Sequence, residues 1–529
     1  MNRKEIIDLK SEMDQEASVW LRRCQEVARL FYPQKSNVVR EGANNSGSER
    51  DVRLVDSTGI YSRRLLATTI HGTMSSPSIR WFRLRQRGVE NVSEEIKRWM
   101  QGYEDVLFDM FAETNFYPES LEFYSDLVAF GSAVMAIEER YSALRGANEP
   151  VFRAIDPRSF RFREDAYGVV NELIRVIPVT ITRLIARWPK AEESKSIQKR
   201  KQEHGGDKVN VLCHCGPEGK RYKTTYVLEE DEEDIILAEE WTDYLIYNVM
   251  RWEKETDSCY GNCPAFDAYP DAETLNIAVA KQLESYEKVI DPPFLMGDGN
   301  VTGGKVNYLP AGGTEVIDVN DFRLINENFR VDVAKALMED LRMQIKMAFY
   351  VDQIQMPGAQ DGRAAYMKTG TSEIWSQRTQ WLLSPVFGRF QYEHLRPLID
   401  KVCAMLRKWD YFSELGVPPE GLGNIDIEYV GPMRSAQEMP RITANQRIVE
   451  LAVQLSQVPE ESIPILDKDA YIREHADATG ASLKFLRSKE EVQTLRQQYA
   501  QERQQQAMAQ NAQSMGAGMK SGAEAMNIG

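Results

Sequence analysis

Between residues 271 and 410 apolar and polar positions alternate in a layout that is mechanical rather than catalytic. Residues 271–290 carry one apolar stripe, Leu275, Val279, Leu283, Tyr286 and Ile290, at the spacing of an amphipathic helix. Residues 327–350 carry a second, Ala334, Leu337, Met338, Leu341, Ile345 and Ala348. Between them, residues 291–326 are rich in proline and glycine and hold short strand-like pieces at 306–309 and 315–319. A glycine-containing loop, 351–370, follows the second helix. A helical pattern then runs over 371–409, about 58 Å if unbroken, with kinks expected at Pro385 and Pro397. The pattern predicts a helical hairpin with a small β element at its tip and a loop at its base.

The rest of the chain reads as mixed helix and strand. In residues 1–35 a helical stripe runs through Ile6, Leu9, Met13, Val19, Trp20, Cys24, Val27, Ala28 and Phe31 and stops at Pro33. Further helices are expected at 56–73, with Asp56 or Ser57 as N-cap, and at 93–114 and 117–138. Residues 81–85 alternate like a strand, and 150–180 and 207–252 are β-rich, with Asp165-Ala166-Tyr167-Gly168 as a turn. A short helix is expected at 181–188, and the charged stretch 190–208 and the acidic run 229–234 read as exposed. After a strand-like 425–430, helices resume at 436–457, 468–476 and 488–507, and a glycine-rich tail follows. No internal repeat is visible.

Length changes this picture by implying three or four structural units in 529 residues. The N-terminus lacks the apolar core of a signal peptide, and six cysteines make no disulfide framework, so a chain made and kept in a reducing cytoplasm is expected. No apolar run is long enough for a membrane span. The net charge of −15 argues against a protein that grips DNA through its phosphates, but suits a surface past which DNA slides.

Candidate chemistry is sparse. Residues 299–305, GNVTGGK, have P-loop spacing, but Val306 stands where a magnesium-holding Ser or Thr is needed, and a strand-like piece follows where a helix is required. A glycine-rich hairpin accounts for them better. Cys213, His214, Cys215, Cys259 and Cys263 lack zinc-site spacing and read as buried thiols. His71 reads as a packing residue. Arg80, Arg83, Arg85 and Arg87, interleaved with Trp81 and Phe82, suit inter-subunit ion pairs or a solvated face better than nucleic-acid binding. No catalytic residue, cofactor or metal is expected.

Asp56-Ser57-Thr58-Gly59, Leu65-Leu66-Ala67, Ser75-Ser76-Pro77 and Trp81-Phe82 resemble the N-terminal signature of the head-to-tail connectors, the portal proteins of short-tailed bacteriophages. Residues 367–374, MKTGTSEI, resemble the segment that opens the family's long helix, with Gly370 in place of a small alanine-like residue. The resemblance implies an α+β, mainly α-helical portal-type subunit that assembles into a ring, normally of twelve copies, at one capsid vertex. By order along the chain it implies a wing (1–270 and 371–430), a stem (271–290 and 327–350), a clip (291–326), a channel loop (351–370), crown helices (431–510) and a flexible tail (511–529). The implied partners are double-stranded DNA passing without sequence specificity, the packaging terminase, tail or adaptor proteins, and capsid and scaffold proteins, with no membrane. The protein would sit in the virion.

Within that frame the polar loop residues Gln353, Gln355, Gln360, Asp361 and Arg363 are candidates to face the channel. Lys281, Glu284, Lys288, Glu339, Arg342 and Lys346, of mixed charge, are candidates for subunit contacts or the lumen. Two other readings stand beside the conduit: a scaffold or adaptor of another assembly, and a nucleotide-dependent motor built on 299–305. ATP hydrolysis tests the motor. The expected outcome is no turnover by the purified chain and no change in that assay for Lys305→Ala.

Overall fold

The computed structural model describes residues 1–35, 54–87, 93–143, 146–204, 206–231, 234–290, 294–297, 313–316, 331–354, 386–413 and 425–429, with 416, 419 and 494. The helices are α1 (Arg3–Phe31), α2 (Thr58–Met74), α3 (Glu94–Glu113), α4 (Phe116–Phe130), α5 (Ile181–Arg187), α6 (Lys195–His204), α7 (Pro264–Asp267), α8 (Tyr269–Ile290), α9 (Val331–Ala348), α10 (Val351–Ile354) and α11 (Arg396–Lys408). The strands are β1 (Phe82–Gln86), β2 (Ser132–Ser142), β3 (Ala147–Ile155), β4 (Phe160–Glu164), β5 (Val170–Thr180), β6 (Lys208–Glu218), β7 (Arg221–Leu228), β8 (Ile236–Thr242), β9 (Tyr247–Arg251), β10 (Glu253–Lys254), β11 (Gly261–Asn262), β12 (Phe294–Gly297), β13 (Gly313–Val316) and β14 (Ile425–Tyr429). The fold is α+β. Its chain divides into one unit of Met1–Trp81 with Asp105–Glu414 and another of Phe82–Glu104 with Leu415–Gly529.

In the larger unit, α1 lies along the core. Ala17, Trp20, Leu21, Cys24 and Ala28 pack with Phe160, Phe162, Leu173, Val211, Cys213 and Cys215 of a five-stranded antiparallel sheet ordered β4-β5-β6-β7-β8. Trp20 stacks on Tyr260, and its indole N–H donates to Phe130 O at 2.8 Å. Val19, expected on the α1 stripe, is exposed, because one residue from Trp20 turns it about 100° away; Ala17 takes its place. The expected helix 117–138 divides in two. It ends at Phe130, and 132–142 form β2, the centre of an antiparallel sheet ordered β3-β2-β9. Apolar residues run on through the break, so periodicity alone cannot separate buried helix from buried strand. Gly131 makes the break: it is left-handed at φ 72°, and a Cβ there would stand 2.3 Å from Gly261 O.

The Asp165–Gly168 turn forms as expected, with Gly168 at φ 79° and the Asp165 carboxylate accepting the N–H groups of Tyr167 and Val169. Two stretches read as exposed are partly buried. Residues 195–204 form α6, with Ser194 and Ile197 buried. The acidic run anchors α1: Glu229 holds Lys10 at 2.5 Å, Arg3 donates to Leu228 O and Glu229 O, and Asp231 is buried beside Ser196. Five of the six cysteines are buried, and burial pushes the Cys213 thiol up to about 12, which keeps it protonated and unreactive. His214 points the other way, to Glu172 at 2.9 Å. His71 packs edge-on against Tyr117 and Tyr124, and burial lowers its pKa.

The helical stretch ending at Lys408 is described from residue 386, so Pro385 lies outside the described residues. Pro397 does not break it. Proline has no N–H to give and crowds the carbonyl four residues back; the helix answers with a wide π-turn over Phe390–Leu395, in which Arg396 N–H reaches Gln391 O. β9 pins this stretch at three points. The Asn248 amide donates to His394 O at 2.9 Å and contacts His394 Nδ1 at 3.0 Å. Arg251 pairs with Glu393 at 2.8 Å, and Lys401 donates to Tyr247 O at 2.8 Å. In the smaller unit β1 pairs antiparallel with β14, and Glu104 of α3 accepts the N–H of Leu84. Of the clustered arginines, Arg80 pairs with Asp105 and Arg85 with Glu428 within the chain.

Burial lowers the Lys401 pKa from 10.5 to about 7. Between those values the folded chain holds fewer protons than the unfolded one, so stability rises with pH across the window and the penalty is complete below it. Lys401→Met should therefore raise the melting temperature over wild type at pH 6.5, by the equivalent of about 2–4 kcal/mol, and the advantage should shrink toward pH 10. Paired thermal melts across that range check this.

Candidate functional site

The hairpin α8–α9 stands in a socket built by the segment around Asp56. One Asp56 oxygen accepts the N–H of Thr58, the first residue of α2, at 2.9 Å; the other takes two hydrogen bonds from Arg342 of α9, at 2.9 and 3.1 Å. Burial would raise the Asp56 pKa, but the bonds from Thr58 and Arg342 outweigh it and hold the carboxyl below its usual range. Val55 N–H reaches the Asn276 side chain on α8, so both hairpin helices are tied to this short segment. Gly59 leaves room for Phe31: a Cβ there would lie 2.9 Å from the ring, which packs in turn on Phe349 after α9. Leu66 and Ala67 are buried, Ser75 bonds Tyr124 OH at 3.0 Å, and Trp81 packs among Phe108, Phe111 and Phe116. Of the N-terminal signature, Asp56 and Gly59 thus bear on the hairpin's base, while Ser75 and Trp81 pack against α3 and α4. The signature at 367–374 lies outside the described residues.

The hairpin stripes are only partly buried in the subunit. Leu275, Met338, Leu341 and Ile345 are buried, but Leu283 (46%), Ile290 (76%) and Leu337 (55%) are exposed in the subunit. A second feature escaped the periodicity reading. Met343 (54%) and Met347 (59%) form an exposed apolar pair on the side of α9 opposite its buried stripe, and Ile277 (56%) does the same on α8. The Met343/Met347 spacing of one helical turn, set half a turn out of phase with the buried stripe, was the available signal. A helix apolar on both sides expects burial on both.

At the tip, β12 and β13 pair in parallel, Phe294 with Gly313 through Gly297 with Val316. Parallel strands cannot be joined by a tight hairpin, so β12 and β13 are not the two arms of one; the glycine-rich hairpin expected at 299–305 falls outside the described residues, as do residues 306–309. At the base, Tyr350 turns left-handed at φ 56° and leads into α10, so the expected loop opens with a helical turn that packs on α2 and α9.

Of the loop candidates, Gln353 is half-buried in α10; Gln355, Gln360, Asp361 and Arg363 lie outside the described residues. Among the stem candidates, Lys281 pairs with Glu284 along α8 at 3.0 Å, and Arg342 is engaged by Asp56 at 2.9 Å. Glu339 is exposed and Lys346 half-buried, while the Lys288 side chain is outside the described set. The structure thus gathers Arg342 into the socket and leaves Lys281, Glu284 and Glu339 on the surface of the hairpin. Among the described residues no helix is long and apolar enough to cross a membrane.

The profile of the bacteriophage head to tail connecting protein family matches residues 3–486. The chain belongs to that family. It is similar to the portal protein of Salmonella phage epsilon15, at 25% identity over 99% of this chain and 94% of the relative. It is also similar to the probable portal protein of Bordetella phage BPP-1, at 23% identity over 95% of this chain and 92% of the relative. As a head-to-tail connector it is a component of the virion, with capsid and tail as neighbours.

Two substitutions test the socket. Gly59→Ala should cost about 1–3 kcal/mol from overpacking against Phe31, reversing the gain of up to about 1 kcal/mol that alanine brings to a helix. Asp56→Ala removes the acceptor of the Thr58 N–H and of two Arg342 hydrogen bonds; a loss of about 1–2 kcal/mol is expected by denaturant melts.

Proposed function

We propose that the chain is the repeating subunit of a closed ring at one capsid vertex, through whose centre double-stranded DNA is packaged and ejected. The observation that carries this reading is a hairpin with apolar side chains exposed on the outer sides of both helices, in a chain of the head-to-tail connecting family. Such a hairpin is incomplete as a monomer and complete between neighbours. In this reading residues 1–270 and 371–430 form the wing, 271–290 and 327–350 the stem, 291–326 the clip, 351–370 the channel loop, 431–510 the crown and 511–529 a tail. Twelve copies close the ring. The packaging terminase docks on it during filling, and tail or adaptor proteins replace it; scaffold and capsid proteins surround it.

The ring works as a conduit with no catalysis of its own. An acidic chain, at net charge −15, repels phosphates overall and lets the duplex slide. Gln355, Gln360, Asp361 and Arg363, with Gln353 at the loop's start, are assigned to face the passage, where polar groups can touch DNA without releasing many counterions.

Electron microscopy and light scattering test the assembly. Rings with a central hole and a mass near twelve times 60.6 kDa, about 730 kDa, are expected. A uniform monomer or dimer at high concentration, with scaffold protein added, would instead favour an adaptor of another kind. Deleting the loop should leave rings intact and lower DNA retention in filled heads; unchanged retention would remove the loop from the passage.

A further inference from the structure

α8 leaves α7 at the base of the hairpin, and α9 returns to pack on α7, so the two helices are antiparallel and their heights can be compared. Ile277 stands eight residues above the start of α8, about 12 Å, and Met343 five residues above the end of α9, about 8 Å. Both are exposed, each on the side of its helix away from the buried stripe. An exposed apolar residue alone says nothing of its partner. The charges around these two do.

On α8, Glu273 lies one turn below Ile277 and Lys281 one turn above, all within about 40° of one line. Read from the base, the order is acid, apolar, base. On α9, Lys346 lies one turn below Met343 and Asp340 one turn above, within about 60°. Read from the base, the order is base, apolar, acid. When antiparallel helices face each other, residues rotated the same way from the contact line fall on the same flank. Glu273 and Lys346 are both rotated one way, Lys281 and Asp340 both the other. The two faces are therefore complementary in height, in flank and in sign. Glu273, Lys281 and Asp340 are exposed and Lys346 is half-buried. The pair that Lys281 makes within α8, with Glu284, is exposed at both ends and easily exchanged.

We infer that neighbouring subunits meet head to tail through these faces: Ile277 of α8 on one subunit seats against Met343 and Met347 of α9 on the next. Glu273 pairs with Lys346 and Lys281 with Asp340 across the contact. The partner is a second copy of this chain, and the contact is heterologous, joining two different patches, so each copy offers one free face to either side and a closing rotation gives a ring. The inference rests on the ring reading above and assigns the contact within it.

The test is cross-linking of the full chain with a short bis-maleimide. The variant carrying both Ile277→Cys and Met343→Cys should give a ladder of multiples on a denaturing gel. Each single substitution should give none beyond wild type, treated in parallel to account for the native cysteines. The charge swap supplies a second readout: Glu273→Lys and Lys346→Glu should each weaken assembly at least about tenfold in concentration, and the double swap should restore it. All these positions lie at least partly on the subunit surface, so thermal melts of the monomer should match wild type. Rings seen by microscopy without a ladder would overturn this contact and leave the ring standing. A dimer from either single cysteine would show a like-on-like contact and overturn it too. A wild-type chain that never closes a ring would overturn both.

Discussion

Removing a guanidinium from water costs several kcal/mol unless its N–H groups find oxygens in place. Arg251, almost wholly buried in β9, meets that condition with the carboxylates of Glu164 and Glu393 and the carbonyls of Gly168 and Cys259. Those oxygens come from three segments, the β4–β5 corner, the loop beyond β10 and the π-turn, so one cation in β9 ties all three to its strand. Lys254 closes the group by sharing Glu164, whose carboxyl stays below its usual range because the two cations outweigh burial. Any shift of one segment leaves a buried charge short of a partner. The π-turn and the sheet therefore move together or not at all.

The hairpin has a lighter attachment. Its base is held by the Asp56–Arg342 pair, the Val55 N–H bond to Asn276 and close packing of Phe31, Gly59 and Phe349, and the hairpin carries apolar groups that the subunit leaves uncovered. That contrast suits a part whose surroundings are supplied by others. The body around Arg251 is braced from within, whereas the hairpin leaves apolar side chains uncovered in the subunit; in the ring proposed above, neighbours would bury them and so help to set its geometry.

How much of this was legible in the sequence depended on whether the signal was local. α1, α2, α3, α8 and α9 follow from stripes and caps, and the Asp165–Gly168 turn from its residues, because those signals sit within a few positions. The change from α4 to β2 was hidden, since Val128 to Ile137 is mostly apolar across Gly131 and either structure buries it. The acidic run at 229–234 looked solvated because its partners, Arg3 and Lys10, lie more than two hundred residues away. Met343 and Met347 were masked by a stronger stripe on the same helix. Parallel pairing of β12 with β13 has no sequence signature at this length. Of the candidate residues, Arg342 could be placed only once Asp56 was seen beside it.

The wide turn at Phe390–Leu395 has a consequence for how the chain can vary. A π-turn is an α-helix with one residue more than its length requires, so it is a place where a helix can lose a residue without rotating what lies on either side. Elsewhere in a helix a single deletion swings every later side chain by about 100°. A relative one residue shorter here could keep α11 seated on β9 with the same face inward. Tolerance of length, in this fold, is concentrated beside its most constrained buried charge.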